Sequence, residues 1–189
     1  IIFLSTPENI SDLKFLIELG MKAIKIGSDD FTNISMIKKF SETKLPIIVS
    51  CGMSNLDEIK KTISEINNKS AYPLILMFTT SQYPVPDVDV NMLKLKTIRD
   101  EFSDIILGYS DHTQGSIAST LANTLGAKVF EKHFTIDKNL PGPDHWFSAS
   151  PDELEEWNKS IKKSWIMLGN NEVKPTINEL KNKKAFRRK

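Results

Sequence analysis

The chain has 189 residues, 25 Lys and Arg against 24 Asp and Glu, one cysteine and 40% apolar residues. That size and apolar share fit one globular domain and exclude wholesale disorder, and the near-neutral total argues against a chain that works by wrapping nucleic acid. A lone cysteine excludes a disulfide framework and a C-x-x-C metal pair, and apolar runs such as Leu74–Phe78 are far shorter than the roughly 18–20 residues that cross a bilayer.

The first run, Ile1–Ser5, reads as a buried strand, although the chain starts without Met. No signal peptide is visible there, so the expected location is cytoplasmic, with no membrane partner. Over Ile10–Leu19 the apolar residues Leu13, Leu16 and Ile17 share one helical face, and Gly20 stands where a C-terminal cap belongs. Strand-like runs follow at Ala23–Ile26, Ile47–Ser50, Leu74–Thr79, Ile105–Gly108 and Ala127–Phe130. Between the second and third of these, Leu56, Ile59, Ile63 and Ile66 fall at helical spacing, with Ser54 or Asn55 as cap and Asp57 and Glu58 in the first turn. Short continuous apolar runs alternating with amphipathic helices predict an α/β fold with a parallel sheet. An open doubly wound sheet and a (β/α)₈ TIM-type barrel compete. Each run ends in polar residues: Ser5-Thr6, Gly27-Ser28-Asp29-Asp30, Ser50-Cys51-Gly52, Thr79-Thr80-Ser81, Ser110-Asp111-His112 and Glu131-Lys132-His133. Polar residues at every strand end favour the barrel, with its site at the C-terminal face. About six βα units are present, and the strand-first start predicts that the missing units are N-terminal.

His112 and His133 lie 21 residues apart, close to one repeat, each just past a strand. On neighbouring strands, about 4.8 Å apart, two imidazoles could share a divalent metal, with Asp111, Glu131 or Asp144 nearby. The alternative is that each ring bonds locally; His145 lies in a loop and is the weaker candidate. Lys25, at the apolar end of a strand, needs a partner. That partner is a phosphate or carboxylate held with Ser28, Ser50, Thr80 and Ser110, or Asp29 or Asp30; a Schiff-base lysine is a further reading. Proline and glycine fix the aim of Asp144 in Asn139–His145, and Tyr83-Pro84-Val85-Pro86 is a similarly stiff loop. Cys51 has no neighbour in sequence to activate it. Trp146, Trp157 and Trp165 read as packing residues.

The ordered motifs Lys25-Ile26-Gly27-Ser28, Ser50-Cys51-Gly52-Met53, Thr80-Ser81-Gln82-Tyr83-Pro84, Gly108–Thr113, Glu131–Thr135 and Pro141–His145 resemble the sialic acid synthase family. That family comprises N-acetylneuraminate, legionaminate and pseudaminate synthases and spore-coat polysaccharide synthases, and the resemblance runs along essentially the whole chain. It implies a transferase that condenses phosphoenolpyruvate with an N-acylated hexose, N-acetylmannosamine or a 2,4-diacetamido-trideoxyhexose, to a nine-carbon 2-keto sugar acid and phosphate. It implies His112 and His133 as ligands of a divalent metal, Mn²⁺ first and Mg²⁺ or Co²⁺ as alternatives. Thr6, Lys25, Ser28, Ser50, Ser81, Tyr83 and Ser110 correspond to phosphoenolpyruvate-binding positions. Lys25, Asp30 and Asp144 correspond to catalytic ones, Asp30 standing where relatives often carry Glu.

The resemblance also implies a homodimer in the full-length protein and an antifreeze-like domain after the barrel. Residues 174–189 carry seven Lys/Arg against one Glu, a net of +6, and residues 1–173 carry 18 against 23, a net of −5. The expected organisation is thus a partial synthase barrel over 1–173 and a basic linker over 174–189, with little or no activity from this piece alone. The competing functions are another phosphoenolpyruvate-dependent aldol-type synthase acting on a phosphorylated sugar, or a non-catalytic barrel that binds phosphoenolpyruvate or sugar.

Overall fold

In a computed structural model, residues 1–67 and 73–187 are described. The elements are α1 (Ile10–Glu18), β1 (Ile24–Ile26), α2 (Ile34–Ser41), β2 (Ile47–Ser50), α3 (Leu56–Asn67), β3 (Leu74–Phe78), α4 (Asp87–Val90), α5 (Leu93–Glu101), β4 (Ile106–Asp111), α6 (Ile117–Thr124), β5 (Val129–Lys132), α7 (Pro151–Leu168) and α8 (Ile177–Phe186). The five strands form one parallel sheet in the order β1-β2-β3-β4-β5. Strand order equal to chain order is the winding of a TIM-type barrel, and this sheet is an open portion of one. The doubly wound alternative would reverse direction at a switch point, and none exists in this sheet.

β2 and β3 are short aliphatic runs, and β1, β4 and β5 keep apolar side chains on the face that helices cover while carrying Lys25, Ser110 and Glu131 on the other. Side chains alternate across the sheet. One face carries Ile24, Ile26, Val49, Leu76, Leu107 and Tyr109, all buried. The helices supply Leu13, Ile37, Phe40, Ile59, Ile63, Leu95, Ile98 and Ala122 to the same core. Each such aliphatic or aromatic burial stabilises by about 1.5–3 kcal/mol. The other face is concave, and in register it presents Lys25 beside Ile48, Ser50 beside Met77, and Ser110 beside Glu131.

Caps follow the sequence closely. Asn55 Oδ1 accepts from the Glu58 amide and Glu58 accepts from the Asn55 amide, so Asn55 rather than Ser54 starts α3. Gly20 and Gly126 adopt φ of +91° and +107° after α1 and α6, where an L side chain would be strained.

Two expectations need correction. Ile1–Ser5 is not a strand: it contributes a single bridge, Ser5 to Ile24, and Ile1–Leu4 are exposed. Hydrophobic content did not suffice, because Ile1 and Ile2 are largely exposed and Phe3 and Leu4 only half buried, too little to offset the ordering of a strand. Of the three tryptophans only Trp157 is buried; Trp146 and Trp165 are 60% and 57% exposed. Residues 177–186 form a helix closed by a Thr176–Glu179 capping box. Among the described residues no helix is long and apolar enough to cross a membrane.

Candidate active site

A cavity of about 410 Å³ opens at the C-terminal ends of the strands. Its lining includes Lys25, Ser28, Ser50, Ser81, Tyr83, Ser110, His112 and His133, contributed by five successive strand ends. Strand alternation explains the convergence: Lys25, Ser50, Ser110 and Glu131 all lie on the concave face, Ser110 and Glu131 as direct register partners.

At one side of the cavity Lys25 Nζ donates to Ser50 Oγ at 2.9 Å and lies 3.6 Å from the Glu131 carboxylate. Of the two partners considered for this lysine, Asp29 and Asp30, neither is the one observed; Glu131 is. Beside it Ser28, Gly52 and Ser81 form a small cradle. The Gly52 amide donates to Ser28 Oγ at 3.0 Å, and Ser81 Oγ is buried without a hydrogen-bond partner. A methyl group on Gly52 would overlap Ser81 Oγ and sit 2.7 Å from Ser28 Oγ. Glycine is therefore what keeps both hydroxyls turned into one space. An ammonium and several hydroxyls around an orphaned buried oxygen suit an oxyanion.

At the other side stand the two imidazoles, with ring centroids 5.3 Å apart. His112 Nδ1 lies 2.8 Å from the Thr80 carbonyl oxygen, which only accepts, so this nitrogen carries the proton. Nε2 then keeps its lone pair, because Ser110, 3.3 Å away, directs its own proton to Glu131 at 2.7 Å. Burial, more than any other cause, pushes the His112 pKa below its ordinary value of 6.5, and the neighbouring His133 adds to this, while the Thr80 carbonyl opposes it. The ring is neutral at physiological pH, the form that binds metal. His133 Nδ1 stands 3.8 Å from Asp144. Tyr83 packs against both rings, at 4.3 and 5.5 Å, and Phe147 against His133 at 5.1 Å. Burial and the carboxylates of Asp144, Asp29 and Glu131 raise the Tyr83 hydroxyl pKa, so it remains a donor.

The donor set fits a divalent metal as two imidazole nitrogen ligands, that of His112 oriented by the Thr80 carbonyl. Among the described residues no third His, Cys, Asp or Glu joins them in a group able to hold a metal. The remaining positions would fall to water or substrate oxygens.

Four sequence candidates lie off this lining; of these Thr80 borders a separate space and meets the site through its carbonyl, on His112 Nδ1. Thr6 borders an adjoining space of about 380 Å³ that shares Lys25 and Glu131. Asp30 bonds to the Asn33 side chain at 3.2 Å, and Asp29, not Asp30, lines the cavity. Asp144 is 57% exposed and reaches the site only beside His133. Asp111, considered for the metal, points to the helix side and is 1% exposed. His145 Nδ1 lies 2.8 Å from Thr135 Oγ1 within its own loop. Cys51 donates weakly to the Met77 carbonyl, and burial pushes its thiol pKa up to about 12, which leaves it unreactive. Sequence reasoning gave Gly52 no role of its own and missed Glu131 as the partner of Lys25. The alternation rule applied from Ser110 to Glu131 could have found the latter.

Residues 1–173 match the NeuB family. The chain is 42% identical over 191 residues to the N,N'-diacetyllegionaminic acid synthase of Legionella pneumophila, covering 98% of this chain and 53% of that protein. It is 39% identical to the enzyme of the same name from Campylobacter jejuni, covering 96% and 55%. Its fold superposes with a TM-score of 0.88 on the N-acetylneuraminic acid (sialic acid) synthetase of Leptospira borgpetersenii, solved with citrate, at 32% identity over 100% of this chain and 67% of that one. The chain spans about half the length of the curated relatives it matches. With a match over 173 of its residues and relatives at this identity, the chain belongs to the NeuB family of sialic-acid-type synthases.

Proposed function

We propose that this chain carries the phosphoenolpyruvate and metal sites of a synthase that joins the enol carbon of phosphoenolpyruvate to the aldehyde of an N-acylated hexose, after which one water adds at the resulting oxocarbenium carbon and phosphate leaves by C–O cleavage, giving a nine-carbon 2-keto sugar acid. The observation that carries this reading is the single cavity in which Lys25 and the Ser28–Gly52–Ser81 cradle face His112 and His133. Lys25 and the hydroxyls hold the phosphate and stabilise the charge that grows on it as the C–O bond breaks. Glu131 keeps Lys25 in the cavity until an anion displaces it. His112 and His133 would hold Mn²⁺, Mg²⁺ or Co²⁺, which when bound supplies Lewis acidity toward an aldehyde oxygen. Tyr83 and Phe147 pack against the ring pair and keep its orientation. Asp144 orients His133, and at its exposed position it also meets an acceptor hydroxyl.

An unphosphorylated acceptor fits better than a sugar phosphate. Lys25 is the one lysine or arginine lining this cavity among the described residues, and it is committed to the first anion. Lys132, the other lysine at these strand ends, turns to the helix side. The test is titration of the chain with phosphoenolpyruvate by calorimetry, for the parent and for Lys25→Met. Binding by the parent and a loss of about 10-fold or more in the variant is expected, since a charged hydrogen bond contributes about 1.5–3 kcal/mol. Equal affinity in both would overturn the assignment. Measuring phosphate release by the full-length protein with Mn²⁺, phosphoenolpyruvate and N-acetylmannosamine or diacetamido sugars then tests the reaction. The family reading predicts that the homodimer is the active form.

A further inference from the structure

Immediately before each site histidine in the chain stands a charged residue that does not enter the cavity. Asp111 precedes His112, Lys132 precedes His133, and the two are register partners across β4 and β5. Their side chains meet on the helix side of the sheet, with Lys132 Nζ 3.3 Å from Asp111 Oδ2 and side-chain exposures of 8% and 0%. The Asp111 carboxylate is fully partnered. Its Oδ1 accepts from the Thr113 amide at 2.9 Å and the Thr113 hydroxyl at 2.7 Å. Its Oδ2 accepts from Ser119 Oγ at 2.5 Å and Trp157 Nε1 at 3.1 Å. Lys132 Nζ donates to the Thr113 carbonyl at 2.8 Å and lies 5.9 Å from the Trp157 ring centroid.

Resting on the reading of His112 and His133 as a metal pair, we infer that Asp111 and Lys132 are positioning residues that fix the two strand ends at one height, so that the imidazoles face each other. A buried ion pair adds little net stability over an apolar pair of the same volume, because desolvation offsets the attraction. What it does supply is direction. Each charge must meet the other at hydrogen-bond distance, and a slip of either strand end would leave a charge buried and alone. Alternation turns that constraint inward. The rung before the Asp111–Lys132 pair is Ser110–Glu131, bonded at 2.7 Å in the cavity, and just past the end of the ladder stand the two histidines, with ring centroids 5.3 Å apart. Ser119 and Trp157 anchor the pair to α6 and α7 without linking the strands to each other.

That difference supplies the test. Lys132→Met removes the link between strands, whereas Trp157→Phe removes a helix anchor and leaves the link. In the metal-free chain, the nuclear Overhauser contact between the His112 and His133 ring protons should be present in the parent and in Trp157→Phe, and absent in Lys132→Met. Co²⁺ affinity, read from the visible absorption of the bound ion, should fall about 10-fold or more in Lys132→Met and stay near the parent in Trp157→Phe. If Lys132→Met does not fold, Asp111→Asn takes its place. A ring–ring contact retained in the inter-strand variant, or lost equally in Trp157→Phe, overturns the inference. A parent chain that binds no Co²⁺ sinks the metal reading, and the ring–ring contact still decides this one.

Discussion

Replacing Gly52 by alanine should separate anion binding from folding. The new methyl would overlap Ser81 Oγ and lie 2.7 Å from Ser28 Oγ and 2.9 Å from Thr79 Cγ2. The two serine oxygens are the ends of short rotatable side chains, so both can swing aside. The buried Thr79 methyl must shift as well, a cost to folding that alanine offsets in part by narrowing the unfolded ensemble by about 0.4–1 kcal/mol. Binding loses two hydroxyls aimed at one anion. At about 1.5–3 kcal/mol per charged hydrogen bond, the pair amounts to about 3–6 kcal/mol, or at least 100-fold in affinity. The single variants Ser28→Ala and Ser81→Ala should each cost about 10-fold on the same scale. Calorimetric titration with phosphoenolpyruvate and with inorganic phosphate reads the effect, and a thermal melt of each variant reads stability. Gly52→Ala with parent-like affinity would refute the cradle. A melting temperature that collapses together with affinity would show that the methyl strikes the backbone frame rather than the hydroxyls.

Other outcomes follow from the same geometry. Glu131→Gln removes a negative charge 3.6 Å from Lys25 Nζ; because Glu131 is partly exposed, the gain is modest, and phosphate affinity should rise about 3–10-fold. Burial lowers the His112 pKa below 6.5, so the unfolded chain takes up the proton first as pH falls. The stability His112 contributes is therefore complete above pH 6.5 and is lost as pH drops from there through the folded-state value. The melting temperature of the metal-free chain should fall more steeply between pH 7 and 5 than that of His112→Asn, and parallel slopes would contradict the burial argument. Cys51, with its pKa pushed up to about 12, should resist a disulfide reagent at pH 8 in the native chain and react at once in denaturant; fast native reaction would place the thiol outside the core. Trp157→Phe should lower stability by about 1–3 kcal/mol, the cost of leaving buried Asp111 and Ser119 acceptors short of a donor, measured by urea unfolding.

Much of this molecule is legible in its sequence, for identifiable reasons. β2 and β3 follow from short aliphatic runs, since a strand covered on its helix side has no need of polar alternation there, whereas β5 overlaps its expected run only at Val129 and Phe130 and ends in Glu131 and Lys132. The cavity residues are legible because a barrel brings its strand ends together, so Lys25, Ser50, Ser110 and His133 converge without being near in sequence. Ile1–Ser5 misled because a strand needs neighbours, and composition says nothing about which neighbours are present. Asp30 and Asp29 could not be told apart because, in the loop that follows β1, direction depends on backbone bends that no period encodes. Asp111 and Lys132 misled because charge at a strand end suggests a site, whereas strict alternation sends both to the helix side. Trp146 and Trp165 show that a large aromatic is not by itself evidence of burial.

The central claim is that one cavity holds a phosphate-bearing anion beside a metal-binding histidine pair. Phosphorus relaxation of phosphoenolpyruvate in the presence of the chain and Mn²⁺ tests this most directly, because a bound paramagnetic ion speeds the relaxation of a nearby nucleus. The account predicts strong Mn²⁺-dependent relaxation for the parent chain. It predicts loss of that effect in Lys25→Met, which loses the anion, and in His112→Asn, which loses the ion. Relaxation indifferent to Mn²⁺ in the parent, or unchanged in both variants, would contradict it.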